Sequence, residues 1–164
     1  FSKAYAMTGW RIGYTASDLT VARAMTKFQS HSTSNPNSIA QYAAQIALSQ
    51  ENPDGKTMHD AFDARRRALC QGLNAIDGLS CLCPHGAFYI MLNISGLLGK
   101  RFEGTVIDGS MTLSDLLLEH ELLAVVPGAG FMADHYVRLS YAVSMENIEK
   151  CLQRLSHFVS MLEG

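Results

Sequence analysis

The sequence predicts a protein of the α/β or α+β class, because segments with helical and with strand periodicity alternate along the chain. Residues 86–92 (GAFYIML) and 136–141 (YVRLSY) alternate as strands do, whereas residues 58–76 and 145–162 repeat apolar side chains at helical spacing. With 164 residues, 48% hydrophobic and 17% charged, the chain has the composition of an ordinary globular protein.

The first fifty residues contain two predicted helices and hardly any strand. Ser17 and Asp18 are expected to start the first helix, with apolar residues recurring behind them. Asn35 followed by Pro36 predicts the start of the second helix, as an N-cap and a first helical position, and that helix ends near Ser49. Two helices are too little for a core, so residues 1–50 are predicted to be the remnant of a larger domain that lies mostly outside this chain.

The segment ENPDG at 51–55 is the predicted domain junction, and residues 51–164 are predicted to form a small α/β domain. Its predicted elements are a helix from Met58 to Ile76, a strand over 86–92, a helix that starts at Thr112 and Asp115 and ends near Glu121, a short strand at Val125 and Val126 before a PGAG turn, a strand over 136–141 and a helix from Met145 to Leu162.

The charge balance and the cysteines exclude several classes of function. A formal net charge of -2 gives no electrostatic reason to expect nucleic acid or a membrane surface as a partner. The cysteines (Cys70, Cys81, Cys83 and Cys151) match no CxxC pair and no zinc ligand set, so no metal site is expected. Cys70 and Cys151 lie on the apolar sides of predicted helices, which favours reduced, mostly buried thiols in a cytoplasmic protein.

The opening residues, S-K-A-Y-A-M-T-G-W-R-I-G, carry the strongest functional signal. Taken singly, Lys3 and Arg11 have the ordinary explanation of solvated surface charges. Together with the residues between them, they closely resemble the pyridoxal 5'-phosphate (PLP) attachment motif of the aspartate aminotransferase family, fold-type I. The wording M-T-G-W-R-I-G is most similar to the bacterial and plant-type subgroup. Only the carboxyl-terminal part of such an enzyme is matched.

The resemblance implies a role for each of the two cations. Lys3 would be the catalytic lysine, which forms a Schiff base with the cofactor and shuttles a proton during the reaction. Arg11 would bind the cofactor phosphate, for which its planar donor fork is suited. Gly9 and Gly13, on either side of Arg11, are expected to let the backbone turn tightly near the ligand.

A second resemblance lies in YVRLSYAVS. Strand alternation places Val137, Leu139 and Tyr141 on one face and Tyr136, Arg138 and Ser140 on the other. Without context, Arg138 would be interpreted as an edge charge or half of an ion pair. The segment is similar, however, to the family's R-L-S-Y-A block, whose arginine binds the α-carboxylate of the substrate, and this implies that Arg138 is the substrate-binding residue.

Two further segments resemble the family less specifically. In STSNPNSIAQ, the resemblance implies a loop at the interface of a homodimer, where Ser34 and Asn35 contribute across the subunits; a plain helix cap is the equal alternative. PGAGF (127–131) resembles a P-G-x-x-F turn that shapes the edge of the pocket. No GxxxxGK[ST] phosphate loop occurs in the chain.

The resemblance as a whole implies the α/β fold of the carboxyl-terminal part of a fold-type I enzyme. It implies a PLP-dependent aminotransferase that acts on an amino acid, with aspartate favoured, and on a 2-oxo acid such as 2-oxoglutarate. An aromatic or kynurenine aminotransferase, a related lyase, or a catalytically inactive isolated domain are the alternatives. The residues that bind the cofactor's ring are expected upstream of this sequence, so the chain alone should not transaminate.

Overall fold

The computed structural model describes all 164 residues, which divide into two compact units, residues 1–59 and 60–164. The division falls within one helix, α3 (Pro53–Leu73). The interpretation of residues 1–50 as a domain remnant and of 51–164 as a small domain remains a prediction. No helix of the structure combines the length and the apolar character that crossing a membrane requires.

The first unit is helical. Its helices are a 3-10 helix (Thr8–Trp10), α1 (Leu19–Ser32) and α2 (Ser38–Ser49). The carboxylate of Asp18 accepts hydrogen bonds from the backbone N–H groups of Thr20 and Val21 at 2.9 and 3.0 Å. A capped first turn of this kind confirms the predicted start of α1.

The start of α2 differs from the prediction. The helix begins at Ser38, and its N-cap is Asn37, whose Oδ1 accepts a hydrogen bond from the N–H of Ala40 at 3.1 Å. Asn35 is not the cap, because its side chain donates to the carbonyl of Pro36 at 2.7 Å. Either asparagine has the acceptor that an N-cap needs, and the sequence alone does not say which one the backbone will use.

Apolar side chains on both helices of the first unit are exposed. Phe28 on α1 is 77% exposed, and Ile39 and Tyr42 on α2 are 70% and 67% exposed. No residue of α1 is buried. The apolar stripe predicted for α1 is therefore present as a sequence pattern, but it covers no core within this chain.

The second unit is built on a four-stranded antiparallel sheet. Its strands and helices after α3 are β1 (Ser80–Cys81), β2 (Tyr89–Asn93), β3 (Arg101–Phe102), β4 (Thr105–Val106), α4 (Ser110–Glu121), β5 (Val126–Pro127), β6 (Tyr136–Ser140) and α5 (Met145–Ser160). The sheet has the order β1-β2-β6-β5, so β6 is an inner strand, and β3 and β4 pair separately. This mixture of helices and strands confirms the predicted α/β class.

The core of the second unit lies between one face of the sheet and helices α3, α4 and α5. Val137 and Leu139 of β6 pair with Leu92 and Ile90 of β2, and all four side chains are at most 5% exposed. The helices contribute a further set of buried apolar side chains: Leu69, Leu73, Leu113, Leu117, Ile148, Leu155 and Phe158. The predicted alternation of β6 is thus confirmed, since its apolar residues all point into the core.

Several element boundaries differ from the sequence prediction. The segment 51–55 is a break only over its first two residues: α2 ends at Ser49 and α3 begins at Pro53, where Asn52 Oδ1 accepts a hydrogen bond from the N–H of Gly55 at 2.8 Å. Proline is well suited to the first position of a helix, where its missing N–H is not needed. Helix α4 begins at Ser110 rather than at the Thr112 and Asp115 pair. The two-residue strands β1, β3 and β4 are too short to leave a periodic pattern.

Candidate functional site

Arg138 lies in the middle of the inner strand β6, opposite Met91 of β2 and Val126 of β5. Its neighbours in the strand, Val137 and Leu139, are buried in the core, so the guanidinium projects from the opposite face of the sheet. The interpretation of Arg138 as an edge charge is therefore wrong.

Two aromatic rings hold the guanidinium of Arg138. Its Cζ lies 4.4 Å from the ring centroid of Tyr89 and 4.7 Å from that of Phe131. Nε of Arg138 is buried and has no hydrogen-bond partner. None of the ion pairs of the chain involves Arg138. The alternative of an ion-paired arginine is therefore wrong as well.

This arrangement suits a planar anion. Rings on the guanidinium faces favour the cation by roughly 0.5–2 kcal/mol each and leave the edge of the donor fork for a ligand. A buried N–H without a partner costs about 1–3 kcal/mol, which a bound acceptor would recover. A carboxylate matches the fork, because its two oxygens can accept two parallel hydrogen bonds.

The ring of Phe131 is positioned by a tight turn, the 3-10 helix Gly128–Phe131. The turn is anchored to the start of α4, where the buried Ser110 Oγ accepts a hydrogen bond from the N–H of Ala129 at 3.0 Å. Ser110 Oγ in turn donates to Oδ1 of Asp134 at 2.6 Å. The expectation that PGAGF shapes the edge of a pocket gains a physical basis, since the turn supplies one ring of the bracket around Arg138.

Gly128→Ala is expected to destabilise the second unit by about 1–3 kcal/mol, as overpacking of a closed site does. A Cβ at position 128 would lie 2.1 Å from the carbonyl oxygen of Ala133 and 2.3 Å from that of Tyr136, so the backbone must shift. Urea unfolding measures the change. Gly130→Ala in the same turn is the matched control, because a Cβ there meets nothing within 4 Å. Equal stability of the two variants would contradict the assigned close approach.

Asp134 makes the anchor of this turn sensitive to acid. The Ser110 side-chain hydroxyl and backbone N–H, at 2.6 and 2.9 Å, hold the pKa of the Asp134 carboxyl below its ordinary value. A lowered pKa in the folded state contributes stability above the unfolded value of about 3.9, and the contribution is lost as the pH falls through the folded value.

Asp134→Asn is therefore expected to flatten the decline in unfolding free energy between about pH 5 and pH 2. Urea unfolding at a series of pH values measures this slope. Asp115→Asn, at an exposed position on α4, serves as the control and should keep the wild-type slope. A wild-type slope in Asp134→Asn would show that the Ser110 contact is not what stabilises the ionised carboxylate.

The ring of Tyr89 is positioned by the residue that follows β6. The hydroxyl of Tyr141 donates to the carbonyl of Ala87 at 2.9 Å, and its backbone N–H donates to the carbonyl of Phe88 at 2.9 Å. Tyr141 itself is 1% exposed. The chain that enters β2 is thus fastened to the strand that carries Arg138, which brings Tyr89 diagonally across from the guanidinium.

Arg11 lies in the first unit, directly after the 3-10 helix Thr8–Trp10. It adopts the left-handed conformation, with φ 51° and ψ 45°, and its Nη1 donates to the carbonyl of Thr8 at 3.0 Å. A left-handed residue other than glycine costs roughly 1–2 kcal/mol. Gly9 lies within the tight 3-10 turn that precedes Arg11, although neither Gly9 nor Gly13 has a positive φ. Nothing in the structure explains these two glycines.

An open groove of about 600 Å³ lies beside Arg11 within the first unit. It is lined by Arg11 with Trp10, Gly9 and Ala6, and by Asn37, Ile39 and Ala40 at the start of α2. The amino end of α2 carries a partial positive charge, which favours an anion as the guanidinium of Arg11 does, although the N–H of Ala40 is already bonded to Asn37. The donor set at this groove therefore fits a phosphate group.

Lys3 and the loop before α2 are also in the first unit. Lys3 is exposed in a turn, where its carbonyl accepts a hydrogen bond from the N–H of Ala6 at 3.2 Å. Ser34 is exposed and has a positive φ of 66°, and its N–H donates to the carbonyl of Gln29 at 3.1 Å. Asn35 is exposed beside it. The cross-subunit role of Ser34 and Asn35 remains a prediction.

The structure thus places the predicted site residues in two groups. Lys3 and Arg11 belong to the unit of residues 1–59, and Arg138 belongs to the unit of residues 60–164. Sequence reasoning did not identify Tyr89, although the alternation of GAFYIML places it on the same face as Met91. The register of β2 against β6, which the sequence does not reveal, brings it to Arg138.

The family is established by comparison with known proteins. The family model described as aminotransferase class I and II matches residues 1–155, so the chain belongs to this family. The chain is 40% identical over 161 residues to the aspartate/prephenate aminotransferase of Nitrosomonas europaea, covering 97% of this chain and 41% of that protein. It is 42% identical over 161 residues to the aspartate aminotransferase of Geobacillus stearothermophilus, covering 96% and 39%.

Solved structures of aminotransferases match nearly the whole of this chain as well. The aspartate aminotransferase from Rhizobium meliloti superposes with a TM-score of 0.92 at 41% identity, over 99% of this chain and 41% of that one. The aromatic aminotransferase from Pyrococcus horikoshii gives 0.81 at 34% identity, over 96% and 41%. The chain therefore has the fold of part of an aminotransferase and spans about 40% of the length of the relatives it matches.

Proposed function

We propose that this chain carries the catalytic lysine and the two anion-binding arginines of a PLP-dependent aspartate aminotransferase. The reaction moves an amino group between aspartate and a 2-oxo acid such as 2-oxoglutarate. The observation that carries the proposal is the guanidinium of Arg138, bracketed by two rings with a buried N–H that lacks an acceptor. Every substrate of such a reaction has a carboxylate that fits this fork.

Lys3 and Arg11 are the residues that would hold the cofactor. Arg11 faces a groove whose donors suit its phosphate, and Lys3 supplies the primary amine that an aldehyde requires. Aspartate aminotransferases depend on PLP. When bound, this group supplies a carbonyl that takes up the substrate's amino group and a ring that accepts the electrons released at Cα.

Residues of this chain have separate roles in the proposed reaction. Nζ of Lys3 acts first as a general base, which removes the proton from the substrate Cα. It then acts as a general acid, which returns this proton to a neighbouring carbon atom. Arg138 donates two parallel hydrogen bonds to the substrate carboxylate, which binds the substrate in a defined orientation. Tyr89 and Phe131 exclude water from the faces of the guanidinium, which strengthens these bonds.

Aspartate is the proposed amino donor. Relatives and solved structures named aspartate aminotransferase match nearly the whole of this chain at 36–42% identity, whereas the aromatic enzyme from Pyrococcus horikoshii matches at 34%. The three relatives whose names add prephenate, one of them as probable, are 40%, 44% and 41% identical. Prephenate, a 2-oxo acid, is therefore the acceptor to assay beside 2-oxoglutarate.

A homodimer is part of the proposal. The first unit exposes several apolar side chains, including Phe28, Ile39 and Tyr42. An exposed apolar surface of this kind supports a contact with a second subunit that covers it. Ser34 and Asn35, at the exposed tip between α1 and α2, would approach the neighbouring subunit there. We further propose a cytoplasmic location, which the free state of all four cysteines supports.

A fusion protein tests the proposed function. The chain is joined to the part of the Rhizobium meliloti aspartate aminotransferase that it does not cover, and the product is assayed with aspartate, 2-oxoglutarate and PLP. Transfer near the rate of the intact relative supports the proposal. A folded fusion that binds PLP but transfers no amino group would show that this chain is an inactive domain.

Arg11→Gln in the same fusion is expected to weaken PLP binding by roughly tenfold or more, since a charge-assisted hydrogen bond contributes about 1.5–3 kcal/mol. Titration with PLP measures the loss. Affinity for a dicarboxylate, measured at saturating PLP, should stay close to that of the unchanged fusion. Arg23→Gln, at an exposed position on α1, is the control. Unchanged PLP affinity in Arg11→Gln would remove this residue from the phosphate site.

A further inference from the structure

Three of the four cysteines lie together in the second unit, and the proposed function uses none of them. Sγ of Cys81 is 3.9 Å from the carbonyl oxygen of Cys70. Nδ2 of Asn74 donates to the carbonyls of Cys70 and Cys81 at 3.0 and 3.1 Å, which fastens the end of α3 to β1. Cys83 lies two residues after Cys81. The thiol on α3 and the two thiols of the adjoining extended segment are therefore near one another.

The extended segment turns both of its thiols the same way. Leu82 is 91% exposed, so Cys81 and Cys83, on either side of it, point away from solvent-facing Leu82 and toward α3. Burial raises the pKa of the Cys70 thiol, and hydrogen bonding with the thiol of Cys83 raises it further. Cys70 is only 5% exposed, so an oxidant in solution reaches Cys83 first.

Cys83 has the environment of a reactive thiol. It is exposed, whereas Cys70 is buried and Cys81 is half-buried. Nη1 of Arg66 lies 2.8 Å from its Sγ. The guanidinium is fixed in place, because Nε donates to Asp63 at 3.0 Å and Nη1 also donates to the carbonyl of Pro84 at 3.2 Å. A positioned cation next to an accessible sulfur is the environment in which reactive cysteines occur.

We propose that Cys83 is an oxidation site for hydroperoxides and that Cys70 is its resolving thiol. The sulfur of Cys83 attacks the peroxide, the O–O bond breaks and Cys83 becomes a sulfenic acid, while the other oxygen leaves with the thiol proton of Cys83 as water or an alcohol. The sulfur of Cys70 then attacks that of Cys83, and the sulfenic oxygen departs as water with the Cys70 proton. Two thiols are oxidised to one disulfide, and one hydroperoxide is reduced.

Cys70 is the resolving partner because Cys81 is poorly placed for the role. Cys81 belongs to β1, where it pairs with Leu92 of β2 in an extended conformation. A bridge from Cys81 to Cys83 would have to close across a single residue of extended chain, outside ordinary disulfide geometry. Cys70 faces the segment from α3 and needs no such reversal.

Hydrogen peroxide titration of the protein tests the proposal. Thiols are counted after denaturation, and the bridge is mapped by peptide mass spectrometry. Two of the four thiols should disappear, with a Cys70–Cys83 bridge that dithiothreitol reverses.

Cys83→Ser should keep its three remaining thiols. Cys70→Ser should leave a sulfenic acid on Cys83 that dimedone labels. Arg66→Gln should slow the reaction by roughly tenfold, because it removes the cation that contacts the sulfur of Cys83.

Cys151→Ser is the matched control and should form the same bridge at the wild-type rate. A bridge between Cys81 and Cys83, a bridge to Cys151, or a covalent dimer on a non-reducing gel would overturn the proposal. So would loss of thiols from Cys83→Ser at the wild-type rate. If Cys70→Ser does not fold because its position is buried, mapping of the wild-type bridge and the exposed Cys83→Ser variant still decide the question.

Discussion

Lys3→Ala is expected to lower the rate of amino transfer by a factor of about 10²–10⁴ or more in the fusion described above. Alanine has no amine to hold the cofactor or to carry the substrate proton, and water replaces it poorly. Phosphate binding through Arg11 should persist, so the variant still takes up PLP with reduced affinity. Stopped assays with aspartate and 2-oxoglutarate measure the rate, and borohydride reduction followed by mass spectrometry locates any lysine-linked cofactor.

Lys27→Ala, at an exposed position on α1, is the control for the loss of a surface charge, and it should transfer amino groups at the unchanged rate. Amino transfer at the wild-type rate in Lys3→Ala would remove the catalytic role from this lysine. Cofactor attached to another lysine after reduction would move the role to that residue.

Arg138→Lys is expected to lower kcat/KM by about one to two orders of magnitude. Lysine keeps the charge but replaces a planar fork with a single compact ammonium, so one of two paired hydrogen bonds to the carboxylate is lost. The ammonium also loses the stacking of a flat cation between Tyr89 and Phe131. Separate titrations with PLP and with a dicarboxylate measure the two affinities.

The control for this substitution is Arg67→Lys, an exposed position on α3 with a surface ion pair to Asp63. It should leave both affinities unchanged. If Arg138→Lys lost PLP and kept its affinity for the dicarboxylate, the strand arginine would belong to the cofactor, and the roles proposed for Arg11 and Arg138 would be exchanged.

The fold could be predicted where one local signal dominates. Asp18 caps α1 as expected, and the alternation of residues 136–141 places the apolar side chains of β6 in the core. The predicted helix boundaries were wrong where two residues can make the same capping hydrogen bond. Asn35 and Asn37 can both cap α2, and the backbone selects the second. The short strand β1 pairs with residues of β2 that lie outside its own local window, Ser80 with Asn93 and Cys81 with Leu92.

The site could be predicted only in part for a related reason. Lys3, Arg11 and Arg138 stand in motifs that can be recognised in the sequence. The rings that bracket Arg138 depend on the pairing of β2 with β6 and on the close backbone approach at Gly128. Both are tertiary features. Gly128 could have been noticed as a glycine in a turn, but not as one that a neighbouring carbonyl contacts.

The register of β6 against β2 decides when the folding chain becomes able to bind a carboxylate at Arg138. Shifting the strand by one residue against β2 would turn Arg138 into the core and Leu139 toward solvent. A charge buried without a partner is among the most costly errors a fold can make. Molecules with a completed sheet and a misdirected guanidinium are therefore not populated. Carboxylate affinity should appear in one step with sheet formation during refolding, so a dicarboxylate can serve as a reporter of the native strand alignment.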